Sequence, residues 1–136
     1  MRDFHLPGRS AVFATNGMVA TSHPLAAATA IDILKAGGNA ADAAVAAAVL
    51  LGICEPQMTG IGGDMYALVQ KDPTSDVVAL NGSGRAPLDA NAAALRDAGH
   101  GTVPLHSVDA VTIPGAMDGF CTLAKDFGAL PLKETL

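Results

Sequence analysis

The sequence has few aromatic residues and few charged ones. Only 4% of the 136 residues are aromatic, tryptophan is absent and 15% are charged, whereas 50% are hydrophobic. Because large rings are scarce, we expect a core filled by closely packed Ala, Val, Leu and Ile. A domain that is this small and this apolar would leave much of its hydrophobic surface uncovered. We therefore expect the chain to be part of a larger assembly.

Basic residues are also scarce and scattered. The chain has 8 Lys and Arg against 13 Asp and Glu, which gives a formal net charge of -5 at pH 7. Nucleic-acid phosphates are bound by clusters of Lys and Arg. This charge distribution therefore excludes nucleic acid as a partner.

Cysteine and histidine do not form a recognised motif. Cys54 and Cys121 lack the CxxC spacing, and we expect two buried free thiols rather than a disulfide. The 4 histidines lack the HxxxH and HExxH spacings of zinc sites. The sequence accordingly predicts neither a metal site nor a cofactor.

Long hydrophobic runs are absent as well. The apolar stretch 40–53 is shorter than the roughly 20 residues that a bilayer requires, so no membrane partner is predicted. Residues 1–9 have mixed charge and no apolar h-region, so we expect a flexible terminus without a signal peptide. The predicted location is cytoplasmic, or periplasmic or secreted if the N-terminus is truncated.

The most informative segment is 37–64, where an alanine-rich helix is followed by a glycine-rich loop. Gly37 and Gly38 can end one helix in a left-handed conformation, and Asn39 can cap the next. The carboxylate of Asp42 then lies near the positive end of the helix dipole. Because this helix has almost no polar face, we expect protein to cover it on several sides.

Strands and helices are predicted to alternate along the chain. Asn16-Gly17 favours a hairpin between the β-prone runs 10–15 and 18–21, and Pro24 starts a helix that ends at Gly37. Further strands are predicted at 65–70, 77–80 and 108–113, and further helices at 88–98, at 115–127 and from 130 onward. The polar connection 71–75 suits an antiparallel pair of strands.

Two motifs suggest ligand binding or catalysis, and each has a structural alternative. The loop 60–63 could cradle a phosphate, but it follows a helix and lacks the Lys-Ser/Thr of a P-loop. Tight backbone packing or a substrate-site wall is the favoured interpretation. Thr21-Ser22-His23 places hydroxyls beside a base, yet adjacent side chains seldom point the right way. A strand end followed by a helix cap explains these residues equally well.

Arg85 is a third candidate, in the polar loop 80–87 that follows a predicted strand. A guanidinium group matches the two oxygens of a carboxylate, and strand ends are common positions for binding residues. The alternative is a solvated or salt-bridged surface arginine. Local sequence alone favours that alternative.

Seven motifs follow one another between Gly17 and the last residue. In order they are GMVATSHPLA from Gly17, ILKAGGNAADAAVA from Ile33, EPQ from Glu55, GIGG from Gly60, GRAP from Gly84, IPG from Ile113 and FGALP from Phe127. Their order and spacing resemble the N-terminal part of γ-glutamyltranspeptidases. A single motif of this kind would be weak, but the ordered set is highly specific.

The resemblance implies an α+β fold, the αββα sandwich of N-terminal-nucleophile hydrolases, of which 1–136 is an incomplete N-terminal portion of one domain. It also implies a proenzyme that cuts itself into a large and a small subunit. The new N-terminal threonine of the small subunit attacks a glutathione-like γ-glutamyl amide, and its own α-amine can serve as the base. The expected partners are the rest of the large subunit, the small subunit and a γ-glutamyl or acyl-amide substrate. No catalytic residue is expected within this chain, which alone should be inactive.

The resemblance also changes how two of the candidate sites are interpreted. Thr21-Ser22-His23 is similar to the family's cleavage site, but its flanks match the start of the large subunit, so we reject it as the nucleophile. Well-studied members carry a carboxylate-binding Arg at the position where this chain has Ser83. The arginine of this chain, Arg85, stands two residues later. We therefore predict that Arg85 and Ser83 contribute to binding the acyl group.

Two departures from the family pattern imply a divergent branch. One is the shifted arginine, and the other is Asp64, which stands where the family has a further glycine. The alternatives that remain are an amidohydrolase similar to cephalosporin acylases, with a different acyl group, and a noncatalytic structural module.

Overall fold

The computed structural model describes residues 11–136. In chain order its elements are α1 (Pro24–Lys35), α2 (Ala40–Cys54), β1 (Met65–Val69), β2 (Val78–Gly82), α3 (Ala92–Asp97), a 3₁₀ turn (Val108–Ala110), α4 (Ala116–Phe127) and α5 (Leu132–Thr135). The predicted mixture of helices and strands is confirmed. The flexible terminus predicted for 1–9 lies outside the described residues. Across 11–136, every helix is too short or too polar to span a bilayer.

The junction between α1 and α2 forms as its residues predict. Gly37 has a φ of 98°, and the N–H of Gly38 donates to the carbonyl of Ile33 at 3.0 Å, which closes the end of α1. The side chain of Asn39 caps α2, and the carboxylate of Asp42 accepts from the N–H of Asn39 at 2.9 Å. These reciprocal bonds fix the start of α2.

Helix α2 belongs to both clusters of the core. One cluster joins it to α4 and contains Ala41, Val45, Ala116, Phe120, Leu123 and Ala124. The other joins it to α1 and contains Ala26, Ala30, Ala43 and Ala47. Small side chains allow the three helices to approach closely. The predicted burial holds for most of the first half of α2, where Ala40 and Ala44 are exposed, whereas Ile53 near its end is 74% exposed.

Strands β1 and β2 pair antiparallel, as predicted, with Met65 opposite Gly82. One face of β1 packs on the cluster shared with α4 through Met65, Ala67 and Val69. On the other face Tyr66 is 66% exposed and Leu68 is 78% exposed. One face of this small sheet is therefore covered by α4, and the other remains open in the described residues.

Asp72 organises the turn between the two strands. Its carboxylate accepts hydrogen bonds from the hydroxyl and the N–H of Thr74 and from the N–H of Ser75. These bonds, with the Thr74 hydroxyl contributing most, hold the pKa of Asp72 below its ordinary value. The polar residues that predicted a turn here thus form it through side-chain contacts.

The predicted hairpin around Asn16-Gly17 is wrong. Residues 11–21 contain no strand, and Gly17 does not adopt the positive φ that the favoured two-residue hairpin turn requires. Val19 instead packs against the cluster between α1 and α2. Tertiary burial has outweighed the local turn preference in this segment.

The strand predicted over 108–113 is also wrong. Val108–Ala110 forms a 3₁₀ turn, because the side chain of Ser107 accepts from the N–H of Asp109 at 3.1 Å. The chain after it is extended but is not part of the sheet. It contacts the loop after β2 instead.

Two further predictions need small adjustments. The helix expected over 88–98 is limited to α3, because the side chain of Asn91 accepts from the N–H of Ala93 and sets the helix start there. Cys54 and Cys121 are free thiols, as expected, but both are only half-buried.

Candidate functional site

The loop that carries Ser83 and Arg85 begins where β2 ends and is held by the extended segment before α4. The N–H of Ile113 donates to the carbonyl of Arg85 at 2.9 Å, and the hydroxyl of Thr112 donates to the carbonyl of Ser83 at 3.3 Å. The side chain of Asn81 accepts from the N–H of Ser83 at 3.0 Å. These bonds fix the backbone of the loop and leave the Arg85 side chain exposed.

Two glycines allow the loop and the start of α4 to approach each other. Gly84 has a φ of 76°, and a Cβ at this position would collide with the carbonyl oxygen of Ile113. A Cβ on Gly115 would lie 2.5 Å from the carbonyl oxygen of Gly82 and even closer to the nitrogen of Gly84. A larger residue at Gly84 or Gly115 therefore requires the two segments to separate.

The glycine-rich loop 60–63 joins the same junction through one carbonyl group. The N–H groups of Gly115 and Ala116 both donate to the oxygen of Gly63, at 3.1 and 3.0 Å. A Cβ at Gly60 or Gly62 would meet open space, and neither residue has a positive φ. The contacts at Gly63 support a scaffold role for this loop, but tight packing does not explain Gly60 and Gly62.

A cavity of about 470 Å³ lies beside this junction. It is lined by 81–85, by 113–115 and by Asp118 of α4. Its two charged residues, Arg85 and Asp118, are both exposed and do not form an ion pair with each other. The cavity thus presents a cationic group from the loop and an anionic group from the helix.

The two residues that the sequence pointed to, Ser83 and Arg85, line the same cavity. Asp118 was missed, because an acidic residue in the first turn of a helix is usually explained by the helix dipole. Only the contact between the loop and α4 shows that Asp118 shares a cavity with Arg85. In sequence the two residues are far apart, and no local pattern links them.

The segment Thr21-Ser22-His23 does not line this cavity. The Nδ1 atom of His23 accepts from the N–H of Leu25 at 3.2 Å and caps α1. The hydroxyl of Ser22 donates to Glu55 at 2.7 Å rather than to a histidine. These contacts support the capping interpretation of the segment.

Comparison with known proteins gives a consistent family match. The family model described as Gamma-glutamyltranspeptidase matches residues 26–136. The Glutathione hydrolase-like YwrD proenzyme of Bacillus subtilis is 38% identical over 126 residues, which are 92% of this chain and 24% of that protein. The chain therefore spans about a quarter of this curated relative.

Two solved structures share the fold of the chain. Cephalosporin acylase from Bacillus halodurans has a TM-score of 0.83 and 47% identity, and the match covers 98% of this chain and 25% of that one. The γ-glutamyltranspeptidase of Helicobacter pylori has a TM-score of 0.79 and 32% identity, with 93% and 37% covered. The arrangement of helices and strands described above is thus found in both structures.

Proposed function

Because the chain belongs to the γ-glutamyltranspeptidase family, we propose that it is part of a self-processing amidohydrolase or transferase that acts on glutathione-like γ-glutamyl amides. The nucleophile in this proposal is a threonine outside these 136 residues, at the new N-terminus of a small subunit. Its hydroxyl attacks the amide carbonyl while its α-amine takes the proton. The C–N bond of the amide then breaks, the amine leaves with that proton, and water or an amino acid takes the acyl group from the threonine ester.

The exposed apolar surface supports a place for this chain within a larger αββα sandwich. Tyr66 and Leu68 leave one face of the sheet open, and Ile53 at the end of α2 is exposed. Exposed apolar surface of this kind is typical of surfaces that contact other protein. In the proposed assembly a second sheet covers Tyr66 and Leu68, and the rest of the large subunit completes the core.

The position of Arg85 is the observation that carries the substrate-binding part of the proposal. Its backbone is fixed by the bond from Ile113, its side chain is exposed, and it lines a cavity with no ion-pair partner among residues 11–136. A guanidinium group can bind both oxygens of a carboxylate. We therefore assign Arg85 to the α-carboxylate of the acyl group, with the neighbouring Ser83 hydroxyl as a second donor.

The likeness to a cephalosporin acylase favours one second candidate. In it the same threonine mechanism acts on an amide whose acyl group is not γ-glutamyl. Arg85 would still bind a carboxylate of that group, because the cavity and the loop are the same. The two candidates differ in the rest of the acyl group, and their preferred substrates distinguish them.

Replacing Arg85 with alanine tests the proposed site. In the full-length processed enzyme we expect the KM for a γ-glutamyl anilide to rise roughly 10- to 100-fold with little change in kcat. The physical reason is the loss of charge-assisted hydrogen bonds worth about 1.5–3 kcal/mol. Steady-state kinetics measure both constants.

Arg96→Ala is the matched control, because Arg96 is an exposed arginine on α3 that does not line the cavity. It should leave both constants unchanged. If Arg85→Ala also leaves both unchanged for the best substrate, Arg85 does not belong to the site.

A further inference from the structure

Two glycines in the turn 60–63 are not explained by the rest of the chain. The N–H of Gly63 donates to the carbonyl of Gly60 at 3.3 Å, so Ile61 and Gly62 occupy the middle of the turn. A turn requires glycine at the position of Gly62 only where φ is positive, and Gly62 has no positive φ. A Cβ at Gly60 or Gly62 would also meet open space. Alanine would therefore fit at both positions if only the described residues mattered.

The backbone of this turn also has free hydrogen-bond donors. Within residues 11–136, the N–H groups of Gly60, Ile61 and Gly62 donate to no backbone carbonyl. The apolar side chain of Ile61 is 56% exposed. Free N–H groups beside an exposed apolar side chain suit a partner that offers carbonyl oxygens and apolar groups together. A polypeptide segment is such a partner, and glycine allows its main chain to come close.

The turn lies at the same end of the sheet as the loop that carries Arg85. Met65, which follows the turn, pairs with Gly82, which precedes that loop. The carbonyl of Gly63 accepts from the N–H of Gly115, and Gly115 lines the cavity. The turn itself does not line the cavity. It is therefore next to the cavity but separate from the surface that would hold the acyl group.

The proposed function requires one further segment at this end of the sheet. With Arg85 on the carboxylate of the acyl group, the amide carbonyl lies only a short carbon chain away, and the threonine hydroxyl must reach it. The chain spans about a quarter of a curated relative, and the threonine of the proposal belongs to the part outside these residues. A segment from outside this chain must then lie beside the cavity. Its main chain offers carbonyl groups to the free N–H groups of the turn.

We propose that the turn 60–63 is the docking surface for the segment that begins with the threonine nucleophile. Gly60 and Gly62 allow the main chain of that segment to come close, and the free N–H groups of the turn donate to its carbonyl groups. The two glycines are positioning residues, because they determine where the threonine hydroxyl lies and not how the acyl group binds. This inference rests on the function proposed above.

Gly60→Ala and Gly62→Ala test the inference in the full-length protein. The added methyl group should displace the threonine segment, and a displacement of about 1 Å can slow a reaction about 100-fold. We expect self-cleavage to slow at least about tenfold. In the processed enzyme, kcat for a γ-glutamyl anilide should fall at least about tenfold with little change in KM. Mass spectrometry over time follows the cleavage, and steady-state kinetics separate kcat from KM.

Gly101→Ala is the matched control. A Cβ at Gly101 also meets no atom within 4 Å, and Gly101 has no positive φ, but it lies in the loop after α3. This variant should leave the rate of cleavage and both kinetic constants unchanged. Far-UV circular dichroism should show the same fold for all three alanine variants. Loss of the fold in Gly60→Ala or Gly62→Ala would overturn the inference, because the chain itself would then require the glycine.

The remaining outcomes separate this inference from the proposed function. A wild-type protein that is not cut before a threonine contradicts the proposed function, and this inference fails with it. The inference alone is overturned when the wild-type protein is cut but Gly60→Ala and Gly62→Ala cleave and turn over as Gly101→Ala does. A rise in KM with an unchanged kcat also overturns it, because the turn would then contact the acyl group instead.

Discussion

Replacing Asp42 with alanine is expected to lower the free energy of unfolding by about 3–5 kcal/mol. Asp42 is fully buried, and its Oδ2 atom accepts from the N–H groups of Asn39, Ala129 and Leu130 at 2.9, 2.9 and 3.3 Å. Removing the carboxylate leaves these donors without a partner, at a cost of about 1–3 kcal/mol each before relaxation. It also removes two of the hydrogen bonds that join the start of α2 to the segment after α4, where the side chain of Asn39 still donates to the carbonyl of Phe127 at 2.6 Å. Urea denaturation of the full-length protein measures the loss.

Two variants serve as controls for Asp42. Asp42→Asn keeps an acceptor oxygen but loses the charge, so we expect a smaller cost of about 1–2 kcal/mol. Asp32→Ala removes a carboxylate of α1 that is 76% exposed and pairs with Lys35 at 3.8 Å, and it should cost no more than about 0.5 kcal/mol. Equal stability of Asp42→Ala and Asp32→Ala would show that the buried carboxylate does not hold these segments together.

Replacing Gly84 with alanine is the second change with a large expected effect. An L-residue in a left-handed conformation costs about 1–2 kcal/mol, and the collision with the Ile113 carbonyl adds about 1–3 kcal/mol. We expect a total loss of about 2–5 kcal/mol in urea denaturation. Because the same loop carries Ser83 and Arg85, the KM should rise as well.

Gly99→Ala isolates the two contributions at Gly84. Gly99 has a φ of 86°, close to that of Gly84, but a Cβ there meets no atom within 4 Å. This variant should show only the cost of the left-handed conformation, about 1–2 kcal/mol, and no change in KM. If both alanine variants lose the same stability and keep the same KM, the contact between Gly84 and Ile113 does not shape the site.

The sequence predicted best the elements whose signals are local. Gly37 ends α1, Asn39 and Asp42 cap α2, and Asp72 forms the turn between β1 and β2, each through contacts with residues a few positions away. Capping and turn preferences describe such contacts directly. These parts of the fold were therefore predicted correctly.

The wrong predictions arise where a distant contact or an overlooked cap decides the structure. Asn16-Gly17 is a strong local turn signal, but the nearby Val19 packs against the cluster between α1 and α2, and no hairpin forms. The apolar run 108–113 suggested a strand, but the Ser107 side chain starts a 3₁₀ turn at its beginning. Pattern alone does not reveal which of these competing preferences prevails.

The sequence likewise predicted some residues of the candidate site and missed another. Family-like motifs pointed to Ser83 and Arg85, and both line the cavity beside α4. Asp118 had no motif, because its proximity to the loop depends on the close approach of Gly84 and Gly115. The sequence does not show this contact, so the sequence alone could not place residues 85 and 118 near each other.

The mass of the polypeptides made from the full-length gene tests the central claim most directly. The proposal of a self-processing amidohydrolase predicts two chains, with this sequence in the larger one and a threonine at the start of the smaller one. Activity on a γ-glutamyl or other acyl anilide should appear together with the cleavage. A product that remains a single chain, or a smaller chain that begins with another residue, would contradict the account.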